Sequence, residues 1–216
     1  MTDPVPARAL DEHEAKRLLA EYGVPVVTEA LAVNAAAAVA AAERIGYPVA
    51  LKGCGAAFAH KTELGLVHLS LGDAAAVRAA ATQVLGAMRG EGALLVQQMV
   101  RGTREFLVGM SRDAQFGPVV TFGLGGIFAE ALADVAVRLC PLARADAEAM
   151  LGEIRARSLL GAVRGLPAVN REALLRALLG VSRLALARPD IEAIDINPLV
   201  VAGAEPVAVD ALVVLR

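Results

Sequence analysis

The pattern of apolar and polar positions changes character partway along the chain. The segment "LDEHEAKRLLAEYG" reads as a helix. Asp11 stands where a side-chain oxygen can accept from the first turn, Glu14 follows at capping-box spacing, and Gly23 closes it. After the extended "VPVVTEALAV", Asn34 is placed to cap an alanine-rich helix that stops at Gly46. "YPVALKG", a short apolar run bounded by Pro48 and Gly53, predicts a strand with Lys52 at its C-terminal end. Residues 54–63 form a loop of small residues. "LVHLSL" then sets Val67, Leu69 and Leu71 against His68 and Ser70, the two-residue period of a half-buried strand, before Asp73 caps another helix.

Beyond "ALLVQQMV" (Ala93–Val100), which reads as a buried strand, the alternation of helix and strand gives way to paired strands. "REFLVGM" and "FGPVVTF" flank the turn "SRDAQ" as an antiparallel hairpin, and the glycine-rich "GLGG" (Gly123–Gly126) follows. Helices are expected around "RADAEAML" and over "NREALLRALLGVSRLALA", the second capped by Asn170 and stopped before Pro189. The chain closes with two β-branched runs around "AGAE". This change of texture divides the chain into residues 1–99, with the leading helix, and 100–216, with the glycine-rich loop and the terminal hairpin. The fold class is α+β, two lobes with a cleft between them as the expected ligand site.

Composition narrows the function classes. A chain of 216 residues can bury a substantial core. Its apolar stretches, such as 35–42, are far too short to span a bilayer, so no membrane partner is expected. The N-terminus shows no basic segment leading into an apolar one, and two cysteines suggest no disulfide framework; a cytoplasmic protein with reduced thiols is expected. A net charge of −2, with five phenylalanines, two tyrosines and no tryptophan, argues against nucleic acid. Only three of the 21 basic residues are lysines, which makes each lysine a functional suspect, because a compact ammonium differs from a planar guanidinium. Two of the three, Lys52 and Lys61, fall with His60 inside ten residues, in "KGCGAAFAHKTELG".

The terminal hairpin can be tested for geometry. If Val201 and Pro206 flank a turn over 202–205, Asn197 lies opposite Asp210 on one face, an amide oxygen beside a carboxylate. Mg²⁺ takes hard oxygen ligands and needs only one or two from protein when a nucleotide supplies the rest. The same two residues also read as the end of an exposed edge, and a register slip of one would separate them.

Lys52, at a strand end, can neutralise phosphate as a point charge or can snorkel at the surface. His60 can act as a nucleophile toward phosphorus, with Lys61 holding the transferred group and Glu63 orienting the pair; a solvated polar loop is the competing reading. The glycines of "FGLGGIFAE", Gly125 and Gly126 among them, can let backbone N–H groups approach an anion, or can form an ordinary turn. Glu105 and Glu130 flank this region and can bond a ribose or the metal's shell, or be surface charges. Cys54 and Cys140 lack metal spacing and read as buried or loop residues. His13 and His68 are given no chemical role.

In order along the chain, "LDEHEAKRLLAEYGVPV", "YPVALK", "AHKTELGLV", "LLVQQMV", "REFLVGMSRDAQFGPVVTFGLGGIFAE", "RLCPL", "VRGLP" and "DINPLVV…AVDALVV" resemble the ATP-grasp domain of ADP-forming acyl-CoA synthetases, relatives of succinyl-CoA synthetase. The resemblance covers nearly the whole chain. It implies an ATP-grasp fold and a nucleotide-binding, phosphoryl-transferring subunit that interconverts acyl-CoA, ADP and phosphate with acid, CoA and ATP through a phosphohistidine. By position, Lys52 matches the phosphate lysine, Gln97, Gln98, Met99 and Val100 the segment receiving adenine of ATP/ADP, Asn197 and Asp210 the Mg²⁺ ligands, and His60 a histidine receiving phosphate. The sequence departs from the family's pattern where Glu63, Leu66 and Gln98 stand in place of aspartate, a second glycine and an acidic residue. CoA binding and the principal phosphohistidine reside in the family on other domains, so an α-type subunit or fused domains are the implied partner. The competing readings are an ATP-binding regulatory module without turnover and a stand-alone ATP-grasp carboxylate ligase.

Overall fold

The computed structural model describes residues 8–55, 64–126 and 132–216. In chain order its elements are β1 (Arg8–Ala9), α1 (Glu12–Glu21), β2 (Glu29–Ala32), α2 (Ala35–Ile45), β3 (Val49–Cys54), β4 (Val67–Leu71), α3 (Ala74–Ala87) and β5 (Ala93–Gln98). There follow β6 (Arg104–Asp113), β7 (Gly117–Leu124), β8 (Val135–Leu139), α4 (Arg144–Glu153), a 3₁₀ helix (Arg155–Leu160), α5 (Arg171–Ala187), β9 (Ile191–Ala202), β10 (Glu205–Ala208) and β11 (Leu212–Leu215). They form two compact units, one of residues 10–13 and 27–99 and one of residues 8–9, 14–26 and 100–216.

The first unit is built on a sheet of order β2-β5-β3-β4 among the described residues. Asn34 and Asp73 cap α2 and α3 by accepting from Ala37 N and Ala76 N, each at 2.8 Å, contacts worth about 1 kcal/mol apiece. Both helices are rich in alanine, so their backbones can lie close to the sheet. Val49, Leu51, Leu94 and Val96 meet Ala38, Ala42, Val77 and Val84 in a buried cluster. Leu66 joins that cluster and its carbonyl accepts from Gly53 N at 2.8 Å, which gives the leucine at a family glycine position a packing role. The expected alternation along β4 fails at Leu69, which is exposed. Ser70 takes a left-handed φ of 58°, and the register against β3 shifts between Val49–Leu71 and Leu51–His68, so the two-residue period is broken there.

The second unit carries a sheet of order β1-β11-β9-β6-β7-β8, with β10 also paired to β9. One face is covered by α4 and α5. Leu174, Leu178, Val181 and Leu184 recur at helical spacing on α5 and are buried, as are Phe106 and Phe122, whose rings stack at 5.5 Å. Asn170 caps α5 as expected, accepting from Ala173 N at 3.2 Å. The β6–β7 turn lies later and is tighter than "SRDAQ". Ser111, Arg112 and Asp113 stay paired in β6, and Asp113 Oδ1 accepts from Gln115 N and Phe116 N to turn the chain in three residues. The leading helix, expected with residues 1–99, falls largely in this second unit. Gly180 leaves room for Tyr22, whose carbonyl accepts from Arg183 at 2.9 Å, and Val26 bridges Ala208.

Asp134, just before β8, ties the 3₁₀ helix to the sheet, accepting from Arg155 N and Ala156 N at 2.7 Å each. Burial raises its pKa, but the two N–H bonds and the Arg155 charge outweigh that and hold the carboxyl below its ordinary value. A depressed carboxylate stabilises the fold above its unfolded pKa, about 3.9, and ceases to as pH falls through the folded value. Urea melts of the wild type and Asp134→Asn should therefore differ most near neutrality and converge in acid; a constant difference would contradict this role.

Candidate functional site

In the first unit, β3 is buried along its whole length. Lys52 pairs with Leu95 of β5 and Val67 of β4, and Ala50 stands opposite Gln97, which stands opposite Glu29 of β2. Side chains alternate between faces, so Lys52, Cys54, Gln97 and Glu29 share the face away from α2 and α3. Residues 10–13 lie against it. Lys52 Nζ donates to Glu12 Oε1 at 2.7 Å, and His13 Nδ1 meets Glu29 Oε1 at 2.9 Å. Lys52 is thus a buried, paired cation rather than a snorkelling one. The Cys54 thiol is pushed up to about 11, chiefly by burial, with the Asp11 and Glu12 carboxylates adding to it against the backbone bond from His13, so this cysteine is chemically inert.

The segment 97–100, expected to receive adenine, is only partly available through its backbone. Gln98 N donates to Thr28 O and Met99 N to Pro48 O, and Gln97 is buried between β2 and β3. Gln98 projects into solvent, and the strand ends there, leaving Met99 and Val100 half-buried beyond it.

In the second unit, the hairpin register is the expected one. Leu199 pairs with Ala208 and Val201 with Pro206, although Ala202 and Glu205 also pair, so only Gly203 and Ala204 remain at the tip. On the other side Asp195 pairs with Leu212 and Ala193 with Val214, the same register. Between the two ladders Val209 N donates to Pro198 O at 3.3 Å; the flanking register, extended across this unpaired stretch, brings Asn197 opposite Asp210.

Glycine packs around this pair. Gly125 N donates to Glu105 O at 2.9 Å and Gly126 N to Asn197 Oδ1 at 3.0 Å. Gly126 has φ +64°, and a Cβ there would lie 1.7 Å from Glu105 Oε2. Here the two N–H groups bond the Glu105 carbonyl and the Asn197 side chain, which ties the loop to β6 and β9. Glu105 and Gly125 also line an open cleft of about 440 Å³ with Leu124, Leu132 and Leu159. Beside it the buried Arg104 donates to the carbonyls of Leu159, Gly161 and Gly203, which fixes the cleft wall.

One residue was not anticipated. Asp195 stands two positions before Asn197, and its carboxyl is raised from its ordinary value, first by lost hydration and then by the Asp210 charge. Asp195 and Asn197 thus lie two positions apart near the middle of β9, with the Asp210 charge close enough to act on Asp195, and the "DIN" spacing on a strand was the available signal. Among the described residues no three His, Cys, Asp or Glu side chains form a metal cluster. A nucleotide-bound Mg²⁺ does not need one, and this hard-oxygen set fits it. His60, Lys61, Glu63 and Glu130 lie outside the described residues.

The chain matches the ATP-grasp domain family over residues 5–215 and belongs to it. Within that family it is 39% identical to acetate–CoA ligase (ADP-forming) I subunit beta of Pyrococcus furiosus, over 96% of this chain and 92% of that one. It is 38% identical to acetate–CoA ligase (ADP-forming) I of Archaeoglobus fulgidus, over 94% of this chain but only 30% of that longer protein. Among solved structures it resembles Ca. Korarchaeum cryptofilum dinucleotide forming acetyl-coenzyme A synthetase 1. The form with coenzyme A, Ca-AMPCP and HgCl+ has TM-score 0.91 and 36% identity, covering 97% of this chain and 94% of that chain. The form with coenzyme A and Mg-AMPPCP, its phosphohistidine segment pointing towards the nucleotide binding site, has TM-score 0.86 and 37% identity over 97% and 93%. No helix among the described residues is long and apolar enough to cross a membrane.

Proposed function

We propose that this chain is the nucleotide-binding, phosphoryl-transferring β-type subunit of an ADP-forming acyl-CoA synthetase, which with its partner converts acyl-CoA, ADP and phosphate into acid, CoA and ATP. The observation that carries the reading is the matching register of the two ladders that flank Asn197 and Asp210, with Gly126 N donating to Asn197 Oδ1. Near-complete coverage of a beta subunit, against less than a third of a longer relative, supports a partner chain or fused domains that carry the CoA-binding and phosphohistidine segments.

In the transfer, the P–N bond of a phosphohistidine breaks and a P–O bond forms to the terminal oxygen of ADP, so the imidazole is the leaving group. Lys52 supplies a fixed positive charge to the phosphate oxygens, and a buried cation acts more strongly on them than a hydrated one. Asn197 and Asp210, with Asp195 beside them, would hold Mg²⁺. When bound, that ion supplies charge screening to the phosphates. Glu105 is suited to the ribose side of the cleft. His60, with Lys61, is assigned the incoming phosphoryl group, and Glu130 the metal's outer shell. Gln97 to Val100 are assigned adenine.

Calorimetric titration of the purified chain with ATP and with ADP, with and without Mg²⁺, tests the reading. Mg²⁺-dependent binding is expected, with no net synthesis of ATP from acyl-CoA until the partner is added. Lys52→Ala should weaken ATP binding roughly tenfold or more, the scale of one charge-assisted contact. Unchanged affinity in that variant would remove Lys52 from the site.

A further inference from the structure

Glu12 belongs to the first turn of α1, far in sequence from any residue assigned to phosphate, yet its side chain keeps only 1% of its surface and meets Lys52 Nζ at 2.7 Å. Lys52 itself keeps 8%. A buried ammonium carries a large desolvation penalty unless a carboxylate compensates it, and the compensating group also fixes the direction of a long, flexible side chain. The pair is not required merely to fasten residues 10–13 to the sheet. The neighbouring His13–Glu29 contact does that from the same four-residue segment, on the same face. Lys52 also needs no help in reaching that face, because its backbone is paired on both sides, to Val67 and to Leu95.

We infer that Glu12 is the positioning residue for Lys52: it neutralises the buried cation between turnovers and aims the ammonium at the nucleotide phosphates. The inference rests on the reading of Lys52 as the phosphate ligand and adds to it a residue that touches no part of the nucleotide. Its signature is selectivity. A residue acting through Lys52 must affect the phosphates and leave the nucleoside alone, whereas a residue that only supports the fold must weaken both.

The test uses the full chain, with ATP and adenosine as paired probes, titrated calorimetrically and by NMR with Mg²⁺ present. Glu12→Gln keeps the shape of the side chain and removes its charge. It is expected to weaken ATP binding roughly tenfold, the scale of one charge-assisted contact, while adenosine stays within about twofold. In a Lys52→Ala background the same substitution should add no further loss, because contacting partners are not additive. Glu12→Asp, which keeps the charge with a shorter reach, should recover part of the affinity, and it serves as the variant if Glu12→Gln does not fold. Equal weakening of ATP and adenosine, or full additivity with Lys52→Ala, overturns the inference while leaving Lys52 in the site. Unchanged ATP affinity in Lys52→Ala alone instead overturns the underlying reading, and so does failure of the wild-type chain to bind ATP.

Discussion

Asp210→Ala is expected to abolish the Mg²⁺ dependence of ATP binding and to reduce affinity in Mg²⁺ at least tenfold. The substitution removes one of the two proposed ligands that the hairpin register brings together, and Mg²⁺ in a nucleotide site relies on few protein oxygens. Asn197 cannot replace it, because its Oδ1 already accepts from Gly126 N and its amide carries no charge to offset the cation. Calorimetry at fixed ATP with increasing Mg²⁺ reads the effect directly. An Asp210→Ala chain that retained the wild-type Mg²⁺ response would place the cation elsewhere and sink the assignment. A parallel Asp195→Ala titration separates the unanticipated carboxylate from the expected one, since a ligand role predicts a loss of the same kind and a purely repulsive neighbour predicts none.

Gly180→Ala is expected to destabilise the protein, against the usual sign. In an exposed helix interior, glycine to alanine gains up to about 1 kcal/mol. Here an added Cβ would lie 2.3 Å from the Tyr22 carbonyl oxygen and 3.2 Å from its carbon, both backbone atoms. The segment after α1 would have to move off α5, and overpacking of this kind costs about 1–3 kcal/mol. The clash therefore outweighs the propensity. A lower midpoint in thermal melts, with lost protection of amides around Tyr22 in hydrogen exchange, is the expected result. A raised midpoint would mean that these two segments lie far enough apart to admit a methyl group.

The two expectations differ in how far the sequence could have reached them. Asn197 and Asp210 were legible because a tight turn fixes the register of an antiparallel pair, and "AGAE" between β-branched runs fixes the turn. The caps Asn34, Asp73 and Asn170 were legible for a similar reason, since each acts on N–H groups only three residues away. Nothing local marks Gly180. It sits in a good helical pattern, and its need to be glycine comes from Tyr22, 158 positions earlier. The same limit hid the partner of Lys52. The lysine drew attention by rarity, but Glu12 was one of many acidic residues and lies 40 positions away. The glycines at 125 and 126 were seen, but not that their N–H groups bond Glu105 and Asn197, a fact of packing between strands distant in sequence.

By itself, then, the sequence determined what is encoded by neighbours along the chain: where helices begin, which runs are strands, the register of the last hairpin, and an ordered set of motifs that defines an ATP-grasp domain. Tertiary structure decided what depends on distant segments meeting. It buried Lys52 and gave it Glu12, set Asp195 beside Asp210, turned Gly126 toward Asn197, and broke the alternation of β4 at Ser70. The physical reason is the range of the interactions. Caps and turns are settled within a few residues, whereas compensation of a buried charge and the fit of a backbone against a missing side chain exist only once the chain has folded.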